Sequence, residues 1–193
     1  MGLDETLFGA INTGWANAAL DPVMAAISLL GSYAVVLYVL PLWYSGRKTR
    51  SFDYLLALAV VVVLTAVLKA AIGRMRPEEV LGLGNVRLVP VPFSSETDPA
   101  FPSGHVARVA LLAAVVSPHE RKFALPMAAF VLLEALSRIY VGVHWPTDTM
   151  GGAALGAAVG LVVWRLDRVD RYARVRAAVL RPLGVTADRA GLS

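Results

Sequence analysis

Residues 53–72 read DYLLALAVVVVLTAVLKAAI, with Asp53 at one end and Lys69 near the other as the only charges. Twenty residues coiled as an α-helix cover about 30 Å, which is roughly the thickness of a bilayer's hydrocarbon core. Such a segment reads as a membrane span, and the rest of the chain agrees. Of 193 residues, 57% are hydrophobic and 17% charged, and the mean hydropathy is +0.63. Soluble domains carry about 45–50% apolar and about 25% charged residues, so the composition favours a polytopic membrane protein. Backbone groups in lipid must find their partners inside the element itself, which selects helices. The chain has no cysteine, so neither a disulfide nor a thiolate metal site is available.

Working outward from this span, residues 22–44 are also long and apolar enough to cross. Asp21-Pro22 is placed as a helix cap and first-turn proline, and Trp43 and Tyr44 suit an interface. Before it, Leu3, Leu7, Phe8, Ile11 and Trp15 recur at helical spacing among polar residues, as in a helix lying in the interface. Residues 73–101 form one long irregular segment containing Pro77, Pro90, Pro92 and Pro99. Residues 104–117 are apolar but too short for a full crossing, at about 21 Å, so one end of this helix is expected below the membrane surface. Residues 123–141 and 149–166 complete the spans. The last carries Gly152, Gly156 and Gly160 at four-residue spacing, a ridge that lets helices approach closely. It suits an internal or a subunit interface, which leaves a homo-oligomer open. A basic helix follows, with Asp167–Arg171 and Asp170–Arg174 spaced for ion pairs. The expected fold is an all-α, polytopic membrane helix bundle of five spanning helices plus an N-terminal interfacial helix. Residues 1–166 make the membrane domain and residues 167–193 a basic cytoplasmic tail.

Charge placement orients this layout. The links at 45–51 and 118–122 hold five Lys/Arg and the stretch from Arg165 to Arg189 holds seven, against six on the other side even counting Lys69, Arg108 and Arg138 near helix ends. The positive-inside rule then assigns links and tail to the cytoplasm. The long loop and the link at 142–148 share the outer face.

Three stretches converge on that face: Lys69-x6-Arg76-Pro77, Pro102-Ser103-Gly104-His105, and Ser137-Arg138-x5-His144-x3-Asp148. Charges near lipid cost about 2.5–3.5 kcal/mol each at a helix centre, so they usually face a cavity and have a task. Lys69 and Arg76, seven residues apart, would share a helix face if the helix continued that far. They could grip a phosphate or merely snorkel to headgroups. Ser103 is a natural N-cap, and Gly104 lets an anion approach bare N–H groups at a positive helix end. His105 sits where a proton could be exchanged with whatever binds there, although a capped helix with an incidental histidine fits the same letters. His144 and Asp148 suit either a surface turn with a capping acid or an imidazole whose tautomer a carboxylate fixes. Arg108 and Glu134 could line the same pocket, with Glu134 neutralising Arg138 or Arg108. His119, on a cytoplasmic link, is expected to be exposed. Glu78, Glu79, Glu96 and Asp98 of the outer loop are expected to shape headgroup access.

Taken together, the three stretches resemble the type 2 phosphatidic acid phosphatase superfamily of integral-membrane lipid phosphatases, related to vanadium haloperoxidases. Its signature, K-x6-RP, PSGH and SR-x5-H-x3-D, is matched at every defining position between Lys69 and Asp148. The resemblance implies that His144 is the nucleophile, forming a phosphohistidine, and that Asp148 orients it. His105 would protonate the leaving group and then activate water. Lys69, Arg76 and Arg138, with Ser103 and the Gly104 backbone, would hold the phosphoryl oxygens. No cofactor and no metal are expected, and the partners are a phosphorylated lipid and the bilayer, with no nucleic acid. The expected reaction is hydrolysis of a lipid phosphate or polyprenyl diphosphate at the outer face of the cell membrane. Phosphatidylglycerol phosphate and phosphatidate are alternative substrates. A soluble haloperoxidase conflicts with the spans, and a non-catalytic phosphate binder would not need both histidines and the aspartate.

Overall fold

The structure, a computed structural model, describes residues 2–34, 38–92 and 97–183. Among these there are helices and turns but no strand. In chain order they are α1 (Leu3–Asn12), α2 (Leu20–Leu29, continued by a π-helical turn Leu30–Ala34), α3 (Val39–Tyr44), α4 (Lys48–Ile72), α5 (Pro77–Leu81), α6 (Gly104–Val116), α7 (Ala124–Tyr140), α8 (Pro146–Leu166) and α9 (Asp170–Leu180). Three stretches are long and apolar enough to cross a membrane: Lys48–Leu81, Arg121–Tyr140 and Pro146–Leu166. Leu20–Ser32 and Gly104–Val116 are shorter apolar helices. The chain is a multi-pass, all-α membrane protein.

The short helix α6 is the axis of the bundle. Its 13 residues cover about 20 Å, as the proline at 118 and the cap at Ser103 imply. Val106, Ala107, Val109, Ala110, Leu111, Leu112 and Val116 are all buried. A helix apolar on every side must be enclosed, and α4, α7 and α8 enclose it. Tyr54, Ala57, Leu58 and Val61 of α4 pack with Ala107, Val109 and Leu111 in the main core. The tightest seam is with α8, where the glycine ridge lies inside the chain. A Cβ on Gly152 would stand 2.3 Å from the Ser103 carbonyl oxygen, one on Gly156 2.0 Å from that of Ala107, and one on Gly160 2.5 Å from Ala114 Cβ.

The first long apolar segment differs from the sequence expectation in two ways. Residues 22–44 do not form one continuous α-helix: the coil widens to π geometry at Leu30–Ala34, and residues 35–37 lie outside the described part. The widening falls where α7 presses inward, since a Cβ on Gly31 would stand 2.2 Å from the Glu134 carboxyl carbon. Asp21 does not cap α2, which begins at Leu20. Its carboxylate is taken by stronger donors, the Tyr140 hydroxyl at 2.7 Å and the Arg87 guanidinium.

α1 closes the site end of the bundle. Its apolar residues divide between two environments, with Phe8 buried against the Trp145 ring (centroids 5.2 Å apart) and Leu3 and Leu7 exposed, as is Trp15 in the turn that follows. Asn12, fully buried, donates to the carbonyls of Arg87 (2.7 Å) and Tyr140 (2.8 Å) and accepts from the Arg87 N–H (2.9 Å), pinning the long loop to the end of α7. At the opposite end, α9 docks on α4. Asp53 accepts from the Tyr172 hydroxyl at 2.5 Å and from Arg176, and Arg176 also pairs with Asp167 at 2.7 Å. Asp167 thus reaches Arg176 rather than the expected Arg171, because a two-carboxylate clamp on one guanidinium outcompetes an exposed i,i+4 pair. His119 is exposed on its link.

Candidate active site

The turn between α7 and α8 positions the first imidazole. Gly142 turns the chain with φ +93°, and a Cβ there would meet the Arg87 carbonyl oxygen at 2.5 Å, so only glycine fits. Pro146 then starts α8 at a position where its missing N–H is harmless. Asp148 reaches back across that first turn, and one carboxylate oxygen accepts the Trp145 N–H at 2.8 Å. The same oxygen lies 3.6 Å from His144 Nδ1. That is beyond hydrogen-bond range as it stands, but catalytic contacts commonly tighten when substrate binds. His144 is 1% exposed. Burial first, then the charges of Arg138, Arg76 and Lys69 and the neighbouring His105, hold its pKa well below the usual imidazole value. It is therefore a neutral base, and a proton kept on Nδ1 places the ring's lone pair on Nε2.

The second oxygen of Asp148 accepts from Arg74 at 2.6 Å. Arg74 also binds the Thr147 hydroxyl at 2.6 Å and the carboxylate of Asp4 on α1. Burial would raise the Asp4 carboxyl, but hydrogen bonds from Thr147 and Arg74 outweigh it and hold the group below the usual carboxylate range. Asp4, Arg74 and Thr147 were not singled out from sequence as site residues. No motif letter marks them, and Asp4 is 144 residues from Asp148.

The PSGH corner faces this pair. Ser103 is the N-cap residue of α6, but its hydroxyl makes no cap bond and is buried without a hydrogen-bond partner, as is that of Ser137. Its backbone is committed instead, the Ser103 N–H donating to the Asp148 carbonyl at 2.9 Å. This bond joins the start of α6 to the start of α8 and fixes His105 relative to His144. A Cβ on Gly104 would lie 3.5 Å from Arg108 Nη1, so the Arg108 guanidinium folds back to the head of its own helix. His105 is 8% exposed.

Lys69, Arg76 and Arg138 are all buried. Lys69 and Arg76 do not share a helix face, because Gly73 adopts the left-handed conformation at φ +61° and ends α4. Arg76 is instead the extended N-cap residue of α5. The two cations converge through Asp98. Arg76 donates to the Asp98 carboxylate (2.8 Å), the Asp98 carbonyl (2.8 Å) and the Val143 carbonyl (2.7 Å). Lys69 pairs with the other Asp98 oxygen at 3.1 Å and also binds the Pro99 carbonyl. Arg138 binds the Ser28 hydroxyl on α2. Glu134, one turn before it on α7, is fully buried against Gly31. Glu79 accepts the Arg76 backbone N–H at 2.6 Å, and Glu96 lies outside the described residues. Two openings reach the cluster. One, of about 180 Å³, is polar and bounded by Arg74, Arg76 and Asp98. The other, of about 240 Å³, runs between Leu88, Val89, Val91 and Val143 to Arg138. Among the described residues no group of three or more His, Asp or Glu could hold a metal ion.

The site combines a neutral buried imidazole backed by a carboxylate, a second imidazole and three fixed cations, which is chemistry suited to transfer of a phosphoryl group. Known proteins agree. The chain is 26% identical to the undecaprenyl-diphosphatase BcrC of Bacillus subtilis, over 86% of this chain and 88% of that protein. It is 30% identical to phosphatidylglycerophosphatase B of the same organism, over 79% and 78% respectively. The crystal structure of Aquifex aeolicus LpxE superposes with a TM-score of 0.73 at 29% identity, covering 86% of this chain and 96% of that one. Residues 50–171 match the PAP2 superfamily. Since that segment takes in all three motif stretches and the helices that carry them, the chain belongs to the PAP2 superfamily and is a membrane phosphatase of that type.

Proposed function

We propose that the protein hydrolyses a polyprenyl diphosphate or a related lipid phosphate at the outer membrane face through a phosphohistidine. The reading is supported above all by the meeting of His144–Asp148 with Lys69, Arg76 and Arg138 at one end of the bundle, opposite the Arg/Lys-rich links and α9. That polarity favours five crossings, with α2–α3 and α6 completing the three long spans, and a cytoplasmic tail. In the first step His144 Nε2 attacks the terminal phosphorus. The P–O bond to the lipid breaks, its electron pair stays on the departing oxygen, and His105 supplies the proton. In the second step water attacks the phosphohistidine while His105 takes back a proton. The N–P bond breaks, releasing inorganic phosphate and neutral His144. Lys69, Arg76, Arg138, the Ser103 hydroxyl and the Gly104 N–H hold the charge that builds on the phosphoryl oxygens. Arg108 lines the pocket, and Glu134 balances the buried cations.

The undecaprenyl-diphosphatase relative supports the polyprenyl diphosphate reading, and the phosphatidylglycerophosphatase relative supports phosphatidylglycerol phosphate as the second. A panel of these lipids, phosphatidate and lysophosphatidate in micelles without divalent metal, compared by kcat/KM, separates the two. His144→Ala should reduce phosphate release to background and His105→Ala should reduce it by about 10²–10⁴-fold. Full activity in either variant would overturn the mechanism.

A further inference from the structure

The two cations assigned to the phosphoryl group are already bridged by a carboxylate of the chain itself. Asp98 spans them as a phosphoryl group would, one oxygen on Arg76 Nη2 at 2.8 Å and the other on Lys69 Nζ at 3.1 Å. The cations are buried, with side chains 3% and 8% exposed, while the Asp98 side chain is 55% exposed. The carboxylate therefore sits on the solvent side of its partners, on the wall of the polar opening.

The main chain around Asp98 is held without that carboxylate. Arg76 Nε donates to the Asp98 carbonyl, Lys69 to the Pro99 carbonyl, and the Ala100 N–H to the Arg74 carbonyl at 2.8 Å. Rotating the side chain outward would break only its two ion pairs and return a half-exposed carboxylate to water. A terminal phosphate carries up to two charges and three oxygens against one charge and two oxygens for Asp98, so it is the stronger ligand for the same pair.

We propose that Asp98 is a displaceable stand-in for the phosphoryl group, which an incoming phosphate must evict, and so sets how much negative charge a substrate needs to enter. The inference rests on the phosphatase reading only in taking Lys69 and Arg76 as phosphoryl-holding groups. Its consequence is arithmetic: the apparent dissociation constant equals the intrinsic one divided by the fraction of sites not occupied by Asp98. That factor is the same for every ligand, so the substrate of low charge, whose intrinsic hold on Lys69 and Arg76 is weaker, is the one it drives out of the binding range.

The test is binding of inorganic phosphate to the purified full chain in detergent, by calorimetry and by phosphate-dependent melting, in wild type, Asp98→Asn, Asp98→Ser and Asp98→Glu. Removing the charge should tighten phosphate binding about tenfold, and Asp98→Glu should return it toward wild type. KM for a lipid phosphomonoester and KM for a diphosphate should both fall in parallel, by about the same factor. Unchanged or weaker phosphate binding in both neutral variants would overturn the proposal, with Asp98→Ser deciding if Asp98→Asn does not fold. The two readings fail separately. If wild type turns over lipid phosphates but the neutral variants bind phosphate no more tightly, only the eviction of Asp98 is wrong. If phosphate binding tightens while no lipid phosphate is hydrolysed, only the phosphatase assignment is wrong.

Discussion

Replacing Gly156 by alanine tests whether the seam between α6 and α8 sets the catalytic geometry. Two effects oppose each other. Alanine favours a helix over glycine by about 1 kcal/mol. The added Cβ, however, would stand 2.0 Å from the Ala107 carbonyl oxygen and 2.8 Å from the Leu111 nitrogen, against ordinary contact from 3.4 Å. Both obstacles are backbone, so no rotamer change relieves them, and the helices must part by up to about 1.4 Å at that level. Overpacking of this kind costs about 1–3 kcal/mol, which outweighs the propensity gain. The active site feels it as well. Gly156 is eight residues, or about 12 Å, along α8 from Asp148, and the Ser103–Asp148 backbone bond resists opening at the far end. A residual shift approaching 1 Å between His105 and His144 would cost about 10²-fold in rate. Melting in detergent and kcat/KM for phosphate release would be measured beside Gly9→Ala, whose Cβ meets nothing within 4 Å. Gly156→Ala should melt lower and lose activity, while Gly9→Ala should match or exceed wild-type stability. A Gly156→Ala protein as stable and active as wild type would refute the claim that this seam holds the two histidines in register.

Arg74→Met removes the partner of a fully buried carboxylate oxygen, so kcat should fall by about 10²-fold with KM little changed, as expected when Asp148 no longer holds His144 in place. Asp4→Asn should lose less, because Arg74 keeps Thr147 and Asp148. The depressed pKa of His144 predicts a pH dependence with a definite sign. Below about pH 6.5 the unfolded chain takes up a proton that the folded His144 refuses. Its contribution is thus fully present above that pH and is lost as pH falls, by up to about 1.4 kcal/mol per pH unit. Melting temperature against pH should be flatter on the acid side in His144→Gln, and an unchanged acid slope would contradict the buried neutral state.

The fold was legible where the signal was local. The apolar run at 53–72 predicts a spanning helix, and α4 contains it. Pro118 and Ser103 bound a helix too short to cross fully, and α6 has that length. The glycine ridge could have met another subunit, and only three-dimensional packing assigns it to α6. The convergence of the three motif stretches followed from helix ends falling on one side, but its details did not. Nothing in Lys69-x6-Arg76 announces the left-handed Gly73 that breaks their shared face. Nor do the letters tell that Asp21 serves Arg87 and Tyr140 across the chain instead of capping its own helix.

What the motifs leave out is the anion beside each cation. A guanidinium or ammonium taken out of water needs a counter-charge at close range, and such partners are chosen by folding rather than by neighbourhood. Arg74 finds Asp4 and Asp148, Arg87 finds Asp21, and Lys69 and Arg76 find Asp98. These carboxylates differ in a way that matters for turnover. Asp148 is 0% exposed and bound by the Trp145 N–H as well as Arg74, so it cannot leave without stranding a buried charge. Asp98 is on the solvent side and can leave at small cost. A phosphate entering the cluster can therefore exchange with Asp98, and the exchange keeps Lys69 and Arg76 compensated. The same asymmetry leaves the carboxylate behind His144 in place while the one over Lys69 and Arg76 gives way.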